Sequence, residues 1–403
     1  MKTVIAPTTA APSERLHGLD AVRAGALLLG VVVHASMAWL PDAQYFWPAH
    51  EDAHSPALNL AFYVPHLFRM VLFFLLAGFF ARLVYQRHGW KHFVRNRLLR
   101  IGLPLVIAWP LTLAAIIFVG AWGAWLANNG VMPPTPPSPE LSIHHFPLTH
   151  LWFLYLLLWC YVAALACNAL PMRQPMHRLL DKLLPVLSGV AGPVLLALPP
   201  AIALFSQHDW IVWFGIPTPD QALLPNPSAT VAFGLAFGLG WQLHRRSELL
   251  QRWAKSWPWH LALALVATLA CLWIAGVQPV LAPAPHDARM LAYACAYAFA
   301  AWSWSFALIG AGLAFLSGHS PARRYLADAS YWVYIVHLPL VMALQVAATR
   351  IDWPWFVEFP LLLAIAMALS LGSYQWLVRR TFIGRVLNGR RYPRAHAGDR
   401  APS

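Results

Sequence analysis

AFYVPHLFRMVLFFLLAGFFARLVYQRHGWKHFVRNRLLR, residues 61–100, decides the fold. From Val71 to Ala81 it is apolar at every position, and from Arg82 to Arg100 it turns strongly basic. A helix that is apolar all round lies in a large core or in lipid, and a bilayer crossing takes about 20 such residues. Working outward from this segment, apolar stretches recur near 19–40, 59–84, 101–126, 150–170, 184–205, 228–243, 258–281, 290–316, 329–349 and 355–379. The sixth is short and carries Gly234, Gly238 and Gly240. The pattern predicts an all-α, polytopic transmembrane helical bundle of about ten helices. Hydrophobic residues make up 59% of the 403 positions and charged residues 11%, against about a quarter charged in a soluble domain.

The net charge of +13 would suit nucleic acid if it formed one basic face on a soluble surface. Its placement says otherwise. All but three of the 28 Lys and Arg, the exceptions being Arg69, Arg289 and Arg350, fall on one side of the expected membrane. The segments 85–100, 171–183, 243–257 and 317–328 and the tail after Trp376 are basic, whereas 41–58, 127–149 and 206–227 hold no Lys or Arg. That alternation is the positive-inside pattern, which puts both termini in the cytoplasm and the chain in a bacterial inner membrane as a multi-pass protein. The first apolar stretch holds Arg23 and His34 and exceeds the apolar core of a signal peptide, so it is expected to stay attached. Residues 1–18 read as a cytoplasmic segment, 19–380 as the membrane domain and 381–403 as a basic tail that anchors topology. The loop Ala127–Thr149, with its MPPTPPSPE run, reads as a stiff extended connector. Cys160, Cys167, Cys271 and Cys295 sit in apolar stretches with no CxxC pair and read as packing residues, with neither metal nor disulfide indicated.

Ionisable groups at membrane depth are costly and default to functional candidates. They are Arg23 and His34 in the first helix, His66 and Arg69 in the second, His337 in the ninth and Glu358 at the start of the tenth. No carboxylate sits at the centre of a helix, which weakens an ion-coupled transporter. In DAVRAGALLLGVVVHASMAW, Arg23 and His34 are eleven residues apart, roughly 16 Å of depth on nearly one helix face. Arg23 fits a donor-binding role, and equally an interfacial anchor paired with Asp20. His66 and Arg69 share a face one turn apart, at the depth of His34. An arginine there keeps its charge and calls for an anion or a developing oxyanion. A sugar hydroxyl becomes a good nucleophile once a base takes its proton, work that histidine suits. Attack on a thioester builds negative charge that a fixed cation stabilises. His34 as base and Arg69 as stabiliser, with His66 shaping the pocket, meet those needs, although a histidine also acts as a nucleophile and the sequence does not separate the two. Arg97 and Arg100, at i,i+3 in KHFVRNRLLRIGLP, suit a phosphate-bearing ligand, and basic segments are also what topology demands. His150 and Trp152 in HLWFLYLLLW, and Tyr331, Tyr334 and His337 in DASYWVYIVHLPLV, form polar stripes that read either as substrate channel or as bonding between helices.

These residues carry a resemblance. An arginine, ten intervening residues and a histidine near the start, the arginine pair at 97 and 100, and the stretches HLFRMVLFFLLAGFF, RLLRIGLPL, HLWFL and SYWVYIVHLP make the chain resemble the acyltransferase-3 superfamily of integral membrane acyltransferases, in its glucan branch. The likeness runs from Leu19 to about Arg380. It implies an acyl-CoA co-substrate on the cytoplasmic side, no bound cofactor, and a carbohydrate acceptor on the far side; in the glucan branch these are succinyl and a periplasmic glucan. It carries the family's essential histidine onto His34, its partner arginine onto Arg23 and its arginine pair onto Arg97 and Arg100, which places those three arginines at the acyl donor. Three readings follow: succinyl transfer to a periplasmic glucan, acetyl transfer to lipopolysaccharide or another surface glycan, and transport or flipping of an anionic solute.

Overall fold

A computed structural model describes residues 13–388 other than 52, 54, 135–139 and 171–172, and among these there is no strand. The elements are α1 (Ser13–Ser36), α2 (Pro56–Arg97), α3 (Leu103–Ala127), α4 (Trp152–Ala169), α5 (Arg173–Leu187), α6 (Gly192–Phe205), α7 (Pro227–Leu243), α8 (Leu250–Ala275), α9 (Ala288–Phe315), α10 (Pro321–Ala348), α11 (Trp355–Ser373) and α12 (Phe382–Asn388). Seven helical runs are long and apolar enough to cross a membrane, or eight if the bent pair α5–α6 is one span. Two of those runs, Pro56–Ala127 of 72 residues and Pro227–Ala275 of 49, each contain two of the ten expected crossings. The surface is inverted relative to a soluble protein: Val106, Leu111 and Phe118 on α3, Trp273 on α8 and Trp376 after α11 are all strongly exposed. Such a surface suits acyl chains rather than water.

The basic segments expected as loops are largely helical. Segment 85–100 is the end of α2, interrupted only at Gly89 with φ 73°, followed by a π-helical turn Leu98–Gly102 into α3. Helices run past the apolar zone here because long basic side chains reach the headgroups while their backbone stays internally bonded. Segments 243–257 and 317–328 likewise hold a 3₁₀ turn with the start of α8, and the start of α10. The fifth expected crossing, 184–205, is broken: α5 and α6 meet at 105°. Pro185, Gly189 and Pro193 crowd the break, and the 14 residues of α6 are short for a roughly 30 Å core. Cys160 and Cys271 are buried, but Cys167 and Cys295 are exposed rather than packed. The Ala127–Thr149 connector is docked, not free. Phe146 N–H donates to Gln221 O, Thr149 N–H to Asp220 O, and Leu223 N–H to Ile143 O. Its TPPSP centre, 135–139, lies outside the described residues, as do 1–12 and 389–403.

α9 is the hub, touching α1, α2, α6 and α8, and its buried face is rich in alanine, including Ala294, Ala298 and Ala301. Small residues let backbones approach where water supplies no driving force. The short, glycine-bearing α7 uses the same device against α2. A Cβ on Gly240 would stand 1.8 Å from Leu75 O, so Gly240→Ala must push the α7 and α2 backbones apart. We expect it to cost about 1–3 kcal/mol, read as a lower thermal midpoint of the protein in detergent; an unchanged midpoint would contradict this close approach.

Candidate active site

Four helices build the site, each contributing at two levels. At the level reached by the basic segments lies a cavity of about 270 Å³. Its wall includes Arg23 and Leu27 of α1, Phe73, Ala77 and Phe80 of α2, Leu154 and Tyr161 of α4, and Arg324, Asp328 and Tyr331 of α10. Arg97, Arg100 and, from α12, Leu387 and Asn388 complete it. The arginine foreseen at 23 and the pair at 97 and 100 thus share one chamber with Arg324. Against Asp20 and Asp328 these four arginines leave a surplus of two positive charges. Arg23 performs both jobs weighed for it: it pairs with Asp20 at 3.0 Å and still lines the chamber. Arg97 lies over the rings of Phe93 and Tyr161, each at 5.2 Å, with its buried Nε unpartnered. Arg100 donates through Nε and Nη2 to Leu387 O at 3.3 and 3.1 Å. The start of the basic tail is therefore α12, folded against the chamber.

One to two turns further along the same four helices stand His34, His66 with Arg69, His150 and His337. Those other four residues all lie within electrostatic reach of His34. The ring centroids of His34 and His337 are 5.2 Å apart, and those of His150 and His337 are 5.4 Å apart. Gly30, one turn below His34, makes room for the guanidinium: a Cβ there would lie 2.3 Å from Arg69 Nη1 and 3.8 Å from His337 Nε2. No carboxylate stands beside Arg69 among the described residues. His34, His66 and Arg69 lie deep in the bundle yet keep some of their surface open, whereas His150 and His337 are buried.

Two prolines explain how the polar stripes are fixed. A helical proline leaves the carbonyl four residues earlier without its donor. Pro339 frees Ile335 O, which accepts from His150 Nε2–H at 3.1 Å; Pro104 frees Arg100 O, which accepts from Tyr331 O–H at 2.9 Å. Tyr334 O–H donates to His150 O at 2.7 Å. His150 and the two tyrosines thus bond helices to one another, while Tyr331 also lines the chamber. Trp152 does not line it; its ring stacks on Phe233 at 5.5 Å between α4 and α7.

The sequence reading missed Trp47, Gln345 and Arg324. Trp47 lies parallel to His34, centroids 6.0 Å apart, and its indole N–H donates to Gln345 Oε1 at 2.8 Å. Gln345 in turn donates to Ala35 O at 2.8 Å, so the indole is tied to the turn that follows His34. Nothing local in the loop announces this. Arg324 did carry a signal, since Arg324, Asp328 and Tyr331 continue the Tyr331–Tyr334 face at i,i+4,i+7 spacing.

Chemically, one end of the bundle offers cations to an anionic ligand. The other offers imidazoles and, among the described residues, a cation without an acidic partner, one to two turns beyond the chamber's apolar wall residues Leu27 and Phe73. The chain is similar to several known proteins. Glucans biosynthesis protein C of Salmonella typhi is 31% identical over 154 residues, 36% of this chain and 37% of that protein. The same-named proteins of Shigella dysenteriae serotype 1 and Escherichia coli O6:K15:H31 are each 30% identical over 156 residues, with the same coverage. The chain therefore matches little more than a third of the length of these relatives. No solved structure matches. The sequence profile of the acyltransferase-3 acyltransferase domain spans residues 16–375, nearly the whole helical bundle, and the chain belongs to that family.

Proposed function

We propose that this chain takes an acyl group from acyl-CoA at the arginine-lined chamber and transfers it to a hydroxyl of a glucan at the histidine end. The observation that carries the reading is the two-level arrangement on α1, α2, α4 and α10. Arg23, Arg97, Arg100 and Arg324 meet the donor's phosphates by charge-assisted bonds, and Leu27, Phe73 and Ala77 pass the acyl end inward. At about 270 Å³ the chamber is below the range of pockets that enclose a drug-sized ligand. It suits the acyl-pantetheine arm, with the nucleotide left at the mouth. Arg69 then faces the carbonyl oxygen and the imidazoles manage the proton. The positive-inside pattern supports a chamber on the cytoplasmic side of a bacterial inner membrane, with both termini, and a histidine end toward the periplasm. The relatives' name points to a glucan acceptor, and the glucan branch implies succinyl as the acyl group.

The test is transfer by the purified protein in proteoliposomes, given succinyl-CoA or acetyl-CoA and a periplasmic glucan, with the glucan read by mass spectrometry. A succinyl adduct supports the reading; an acetyl adduct alone changes the donor, and no adduct with either donor would overturn it. Arg97→Ala tests the chamber separately. We expect KM for the donor to rise about tenfold, the loss of one charge-assisted contact, with kcat little changed. A fall in kcat at constant KM would remove the chamber from donor binding.

A further inference from the structure

The two imidazoles nearest the centre differ in how they are held. His337 is buried at 2% exposure, and its Nδ1 lies 2.8 Å from Tyr334 O. A carbonyl oxygen only accepts, so Nδ1 carries the proton and Nε2 is left as a bare lone pair. Tyr334 is itself fixed to His150, and His150 to the carbonyl freed by Pro339. That chain holds the His337 ring at one tautomer and one angle. Among the described residues Nε2 has no partner, and neither has Arg69 Nε; both atoms are buried. A buried polar atom left open is costly and calls for a reason. Here an unpaired acceptor and an unpaired cation border the same glycine, Gly30.

His34 is the opposite case. Among the described residues its Nδ1 meets only the Met37 thioether, at 3.4 Å, a weak acceptor that pins no tautomer. Its ring keeps open surface and lies against His337. An activated nucleophile stands beside a base that a third group orients. By that criterion His337, oriented through Tyr334, is the base, and His34 is the group it serves. His66 also donates through Nδ1, to Phe62 O at 2.8 Å, but its ring lies tilted against that of Phe62, centroids 4.3 Å apart, rather than against His34.

We propose that His337 is the proton-accepting imidazole of this acyltransferase and that His34 is the acyl-accepting one, so that transfer proceeds through an acyl-His34 intermediate. This rests on the function proposed above. In the first half-reaction a nitrogen of His34 attacks the thioester carbonyl, the C–S bond breaks, and the proton lost from the His34 ring passes by His337 Nε2 to the departing thiolate. In the second, the sugar O–H gives its proton to His337 Nε2 and its oxygen attacks the acyl-imidazole carbonyl. The C–N bond to His34 breaks, and the proton on His337 returns to the His34 ring. Acyl-CoA and alcohol become ester and free thiol, with no other reactant. Arg69 faces the carbonyl oxygen in both halves.

The experiment compares wild type, His34→Gln and His337→Gln in proteoliposomes with acyl-labelled succinyl-CoA, with and without glucan. Protein-bound label after rapid acid-free denaturation, and its release by hydroxylamine, are read alongside label on the glucan. Wild type is expected to hold hydroxylamine-labile label without acceptor and to pass it to glucan. His34→Gln should do neither. His337→Gln should still accumulate bound label, more slowly, while transfer to glucan falls at least about 10²-fold, the scale of a lost general base. Its remaining transfer should also lose the wild-type pH dependence, which a merely structural role would leave in place. Wild-type transfer without bound label, or His337→Gln transferring normally, overturns the inference while leaving the function standing. If His66→Gln rather than His337→Gln separates the half-reactions, the base is His66 and the assignment is wrong. Absence of wild-type transfer to glucan strikes the underlying reading instead.

Discussion

His34→Ala is expected to reduce acyl transfer by at least about 10²-fold, the low end of what losing a catalytic imidazole costs, in a protein that still inserts and folds. The expectation of a folded variant comes from the side chain's surroundings. Its one hydrogen-bond contact among the described residues is the Met37 thioether, and some of its surface is open, so truncation strands no strong hydrogen-bond partner there. Trp47, which lies against it, is held independently by Gln345. Transfer assays on membranes matched for protein level, with the elution profile and thermal midpoint in detergent as folding controls, check this. Activity within a few fold of wild type in a folded His34→Ala protein would remove the centre of the site.

Arg69→Lys is expected to cost about 10²–10³ in kcat, the range found when one oxyanion donor is lost, with the donor KM little changed. A lysine keeps the charge but is a point donor on a flexible stem, and it cannot reproduce a planar fork that lies against the Gly30 backbone. Gly30→Ala tests the same guanidinium without altering it. The added Cβ would stand 2.3 Å from Nη1, and because that atom ends a flexible side chain the fold yields cheaply while the cation is displaced. Both variants are therefore expected to share a low-kcat, normal-KM, normally folded phenotype. A raised donor KM in Arg69→Lys would place Arg69 in donor binding rather than at the reacting carbonyl.

Much of the bundle is legible in the sequence because lipid demands long apolar runs whatever the tertiary structure does. Each of the ten expected stretches overlaps a helix, although the fifth is split between α5 and α6 and the seventh overruns α8, which ends at Ala275. What was not legible lies where that demand stops. At 85–100 and 317–328, composition separates lipid from headgroup but not helix from loop. In PVLSGVAGP, the clustered Pro and Gly residues were visible, but a 105° bend between α5 and α6 needs a tertiary reason. The site divides the same way. Depth and helical spacing group His34, His66 and Arg69, because both are properties of single helices. The docking of α12 onto Arg100, the tie between Trp47 and Gln345, and the bond from His150 to the carbonyl that Pro339 frees all join residues far apart in sequence. HLPLV shows the proline but not which side chain answers it. Trp152, attractive as a channel residue near His150, points between α4 and α7 instead, since positions two apart on a helix face different ways.

The central claim is that the arginine chamber and the histidine cluster are two ends of one transfer path. It is tested most directly in sealed inverted membrane vesicles, with glucan enclosed and radiolabelled succinyl-CoA outside, by measuring acyl ester in the lumen against free CoA released outside. The account predicts one luminal ester for each CoA left outside, dependent on this protein and lost with His34→Ala. CoA release outside with the acylated product also outside, or luminal ester unaffected by His34→Ala, would contradict it.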